Sequence, residues 1–326
     1  MAKLTTMERL QPAYCWLHRG WSQMKIMRTA LLLAIFGVLS ACGYNTKAVN
    51  DFNESAVGLT KSFSVLTDKS IEWCYESMLS SQLGSPKYES QAKMQDTIDG
   101  TCKNFAKDVR TSEASAVVVN TYAAALSALV GISPQFIEDD AKNLKDAVLT
   151  IKKADGTQKL NSNEVEAFAK LTNLLSEMIT TAAIKDKATE LMRDNSAAVN
   201  RQVDIMLAVA RKLSENTSWI AGTTNAALIN NLEQIGSLQN NGGKATNEQA
   251  IPYRYLAYLL SKQHPKKADV TAAITKFEEA GRLFKVANND LEKKFSKLSK
   301  EDQLKSLKDL KEKIDDLRES IQAIRT

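Results

Sequence analysis

The sequence predicts an all-α protein, an elongated bundle of about eight long antiparallel helices. Three observations carry this. Apolar residues recur at spacings of three and four along almost the whole chain, the period of one helix face. Helix-breaking residues are scarce, with 13 Gly and 5 Pro in 326 residues. Strand signals are nearly absent: Val117-Val118-Val119 is the one β-branched run, and it sits among alanines.

The periodicity and its punctuation place helices at about 48–83, 88–130, 134–153, 162–194, 196–239, 251–263, 269–298 and 300–326. Gly84-Ser85-Pro86 separates the first two, and Ser133-Pro134 puts a capping residue ahead of a proline at the first helical position. Asn161 with Glu164, and Thr246 with Gln249, have the spacing of capping boxes. Pro252 argues against a helix starting at Thr246. Asp155-Gly156 and Asn240-Asn241-Gly242-Gly243 read as turns. Ser299, with Asp302 three residues on, marks a break before the last helix.

The stripes are amphipathic. Val165, Phe168, Leu171, Leu175, Met178 and Ala182 share one face of the fourth helix. Val199, Val203, Met206, Ala210, Leu213 and Ile220 share one face of the fifth, where Gly222 and Gly236 predict a kink or break. The last helix carries Leu307, Leu310, Ile314, Leu317, Ile321 and Ile324 at coiled-coil spacing. At under three heptads it is expected to pack back on its own bundle. The tetratricopeptide pattern does not recur at its period, and no other internal repeat is visible.

The N-terminal region reads as targeting. A basic start, Lys25-Ile26-Met27-Arg28, precedes the apolar run Leu31–Val38 and then Leu39-Ser40-Ala41-Cys42. The apolar run is too short to span a bilayer. This order resembles the signal peptide and lipobox of bacterial lipoproteins. The resemblance covers about residues 24–43. It implies that Cys42 becomes the first residue of the mature protein and carries the acyl chains. Position 43 is Gly rather than Asp, which by Gram-negative sorting rules implies the outer membrane, with the periplasmic face favoured over the cell surface. Trp16, Trp21, Pro12 and Glu8 are foreign to an n-region, so 1–23 reads as an over-extension, 24–41 as signal peptide and 42–50 as a lipidated tether. The helical bundle then occupies 51–326, with a sub-boundary near 240–250.

Charge and cysteines agree with export. The leader holds Lys3, Arg9, Arg19, Lys25 and Arg28 against Glu8. Removing it takes 43 Lys+Arg to 38 and 38 Asp+Glu to 37, a net charge of +1. A near-neutral body makes no electrostatic case for nucleic acid. Cys74 and Cys102 remain after Cys15 and Cys42 are set aside, and their midpoint lies near the Gly84–Pro86 break. An antiparallel hairpin folded there brings them together as a disulfide, as an oxidising compartment permits.

No catalytic, metal or cofactor signature is visible. The mature part has one histidine, His264, beside Pro265 in a Lys-rich stretch. Phosphate-loop, G-x-S-x-G and H-E-x-x-H patterns are missing. Glu138-Asp139-Asp140 sits early in a helix, where acids complement the dipole. The protein is therefore expected to be not an enzyme but a structural or interaction module, held at the membrane by its lipid and binding another envelope protein. Two further stretches bear on this. Tyr253, Arg254, Tyr255 and Tyr258 crowd one short helix, and Tyr and Arg favour interfaces. Ala114–Ile132 is small and apolar; it reads as the buried centre of the bundle. The alternative is a membrane-active segment, since it also resembles the hidden hydrophobic segment of α-helical pore-forming toxins.

Overall fold

In a computed structural model the described residues are 46–83, 90–130, 137–152, 160–178, 186–240, 247–298 and 304–325. They form seven α-helices and no strand: α1 Thr46–Leu83, α2 Gln91–Leu129, α3 Ile137–Lys152, α4 Ser162–Met178, α5 Asp186–Asn240, α6 Asn247–Lys294 and α7 Lys305–Arg325. One 3₁₀ turn, Phe295–Lys297, closes α6. The chain is all-α, a helical bundle.

Local rules account for several ends. Ser90 caps α2 in an extended conformation, accepting a hydrogen bond from Lys93 N at 3.4 Å. At α4 the capping box forms in both directions. Glu164 N donates to Asn161 Oδ1 at 3.0 Å, and Asn161 N donates to Glu164 Oε2 at 2.7 Å. Glu164 is buried, and its Oε1 lies 3.0 Å from Arg201 Nε in an ion pair without hydrogen-bond alignment. The cap therefore also ties α4 to α5. Thr246, Ser133-Pro134, Asp155-Gly156 and the Gly84–Pro86 break lie outside the described residues.

Two expected boundaries are displaced. The helix expected over 162–194 ends at Met178, and its last residues belong to α5, which runs unbroken past 195–196 and through Gly222 and Gly236. Asn195 and Ser196 look like a start signal in sequence but are buried. Asn195 Nδ2 donates to Leu191 O at 3.1 Å, and Ser196 receives Asn288 from α6. The Asn195 amide nitrogen and Ser196 thus find partners inside a continuous helix, although Asn195 Oδ1 is buried without one. The helices expected at 251–263 and 269–298 are a single α6 that includes Pro252 and Pro265, and the count falls from about eight to seven. A proline deletes one backbone donor at its own position. Here α6 continues through both prolines, and its C-terminal half is held by antiparallel pairing with α5.

That pairing has a defined register. Asn200 Nδ2 donates to Asn289 Oδ1, Lys285 Nζ to Asp204 Oδ1 and Arg211 Nε to Glu278 Oε1, while Leu207 packs against Gly281. Each of these pairs is centred on residues 244–245, within the connection between the helices.

The core is aromatic at its middle. Phe52 of α1 packs against Phe284 of α6 at 4.9 Å between ring centroids, and edge-on against Tyr122 of α2 at 6.2 Å. Phe63 stacks on Phe277 at 5.4 Å. The α7 seam closes the bundle as expected: Leu307, Leu310, Ile314, Leu317 and Ile321 are buried and Ile324 is half-buried. Ile314 comes so close to Gly58 of α1 that no side chain fits at that position. Lys311 Nζ reaches Glu54 Oε2 on α1 at 3.4 Å. Cys74 and Cys102 are bonded, with Cα atoms 5.9 Å apart, and cross-link α1 to α2.

Candidate functional site

Ala114–Val130 takes the place expected of a bundle centre. No residue of this run is exposed. Val118, Val119, Tyr122, Ala123 and Leu126 are fully buried. Two of its polar groups are paired inside the bundle, whereas Ser127 Oγ is buried without a partner. Ser115 Oγ donates to Gln202 Oε1 at 3.1 Å, and Tyr122 Oη donates to Asn288 Oδ1 at 3.2 Å. Asn288 Nδ2 lies within reach of Ser196 O, Ser196 Oγ and Asn200 Oδ1, at 3.0 to 3.2 Å. Burial pushes the Tyr122 phenol far above its usual range. A neutral, hydrogen-bonded tyrosine in a dry core is an architectural group that fixes three helices against one another. No described helix is long and apolar enough to cross a membrane.

Chemistry-bearing clusters are few among the described residues. No group of three metal-ligating side chains occurs there. A cleft of about 370 Å³ opens between α4 and α5, lined in part by Lys170, Lys187, Glu190 and Asp194. Lys170 already pairs with Glu166 at 3.1 Å and Asp194 with Arg193 at 3.1 Å, so these charges are engaged along their own helices. Elsewhere on the surface, hydrogen bonding to Lys103 lowers the Asp99 carboxyl below its usual range, and Asp99 in turn raises Lys103. Exposed pairs of this kind contribute little to stability.

The feature that stands apart is the hairpin end of α5 and α6. Leu213 is the last buried residue of α5, and Val270 is the first of α6. Between them, no described side chain is buried. This arm carries Ile229, Tyr255 and Tyr258, which are 43%, 48% and 55% exposed. Arg254 is exposed beside them; the Tyr253 side chain and Cys42 lie outside the described residues. The sequence reading therefore located the tyrosines but treated their helix as a short separate element, whereas they sit in the first turns of a 48-residue helix.

A second signal, missed in the sequence, marks the same arm. Residues 216–261 contain four charged side chains, Glu233, Lys244, Glu248 and Arg254, although a quarter of the chain is charged. The change is abrupt within one helix: α6 holds two charges up to Ser261 and 13 from Lys262 to Lys294. Exposed, charge-poor and aromatic is the composition of an interface centre.

The arm and the start of α1 lie at opposite ends of α6. Phe52, near the beginning of α1, packs at the level of Phe284. The 37 residues from there back to Asn247 span about 55 Å of helix. No protein-family model, curated protein or solved structure matches this chain significantly.

Proposed function

We propose that this is a lipid-anchored envelope protein that acts as a structural or protein-interaction module. In this reading Cys42 bears the acyl chains and holds the bundle at the outer membrane, on its periplasmic face. The α5–α6 arm makes the contact. The observation that carries the reading is the arm itself, charge-poor over 216–261, with Tyr255 and Tyr258 exposed and none of its described side chains buried. A single chain anchors weakly, and the two or three chains of a bacterial lipoprotein hold firmly. The Cys74–Cys102 bridge suits an oxidising compartment.

Metabolic labelling with a clickable fatty acid tests the anchor: wild type takes the label and Cys42→Ala does not. Cross-linking in intact envelopes tests the arm. A defined adduct that forms with wild type and is lost with Tyr255→Glu/Tyr258→Glu supports the reading. An adduct pattern indifferent to the arm, or label retained by Cys42→Ala, refutes the corresponding half.

A further inference from the structure

We infer that the occupant of the arm is a second copy of this chain, two α5–α6 hairpins packing side by side as a four-helix bundle. The inference rests on reading the arm as an interaction surface and goes further by naming what covers it. A hairpin of two helices has one internal seam. It cannot shelter apolar residues that point away from that seam, and Ile229, Tyr255 and Tyr258 stand exposed on the arm. A second hairpin supplies the missing layer, as in four-helix bundles generally.

Charge favours a self-partner. Residues 216–261 of the arm have two acids and two bases, Glu233 and Glu248 against Lys244 and Arg254. Two such surfaces meet without net repulsion. The same neutrality gives no attraction to a nucleic acid or an anionic membrane. The size also fits. The helical parts of the arm, 25 residues of α5 and 15 of α6, present a face of roughly 30 Å by 20 Å. That is roughly 600 Å² per copy, near the lower edge of what a specific dimer buries. Copies tethered in one leaflet would present their arms at the same height, which raises the effective concentration of each for the other.

The test is the mass of the full lipidated chain in detergent, by sedimentation with micelle correction, over a range of concentrations. Wild type should sediment as a dimer that dissociates on dilution. Tyr255→Glu/Tyr258→Glu should weaken dimerisation by at least about tenfold while keeping the helical content measured by circular dichroism. Val286→Glu, an exposed site in the charge-rich half of α6, is the control and should remain dimeric. A wild type that is monomeric throughout overturns the inference, and so does a dimer that survives the double substitution. If the monomer instead cross-links to a different envelope protein through the tyrosines, self-association is wrong and the interaction-module reading stands.

Discussion

Removing the Cys74–Cys102 bridge by Cys74→Ala/Cys102→Ala should loosen one end of the bundle by a calculable amount. The bridge joins positions 28 residues apart in sequence. In the chain-entropy treatment a loop of that length restricts the unfolded ensemble by about 3.5 kcal/mol. Both cysteines are buried, so the lost sulfur packing adds to the effect rather than offsetting it. For a unit of this size each kcal/mol moves the melting temperature by about 2 °C, so the expected drop is about 7 °C. Scanning calorimetry of wild type with and without reductant, beside the double variant, measures it. Wild type should lose stability on reduction, and the variant should be insensitive. Hydrogen exchange should show protection falling first where α1 ends and α2 begins, because the bond restrains no later helix directly. A melting temperature unmoved by reductant, with Cys74 and Cys102 peptides recovered as free thiols from the envelope, would refute both the cross-link and the hairpin register that places it.

Further outcomes follow from particular residues. Gly58→Ala should destabilise in thermal melts, because its new methyl collides with Ile314, whereas Gly222→Ala should stabilise by about 0.5–1 kcal/mol, since nothing lies within 4 Å of its Cβ position. Asn161→Ala should cost about 1 kcal/mol in urea unfolding by removing the cap of α4. Glu164→Gln should cost less than Glu164→Ala, because glutamine can still accept from Asn161 N. Tyr122→Phe should cost about 1–3 kcal/mol at neutral pH by leaving the buried Asn288 carbonyl oxygen without its donor. The Tyr122 phenol is held above its unfolded value, so its contribution is complete below pH about 10 and declines as pH rises past it. Denaturation from pH 9 to 12 should therefore weaken wild type more steeply than Tyr122→Phe, by up to about 1.4 kcal/mol per pH unit.

What the sequence determined by itself was whatever depends on neighbours along the chain. Helical periodicity declared the fold class. Asn161 and Glu164 are three residues apart and close their capping box locally, so the start of α4 was legible. The α7 stripe was legible because a seam of that period has to be buried somewhere. Cys74 and Cys102 were legible as partners because a hairpin brings together residues equidistant from its turn. The tertiary structure alone decided which local signals to overrule. Asn195 and Ser196 look like a helix start, yet the Asn195 amide nitrogen bonds back to its own helix, Ser196 accepts from α6, and α5 runs on. Pro265 looks like a stop, yet α6 runs through it, and from Glu278 onward it pairs with α5. The tyrosines were visible as a cluster; their standing on an arm beyond the core was not. Exposure is set by which stretches of α5 and α6 other helices cover, and that is a property of packing between segments far apart in sequence.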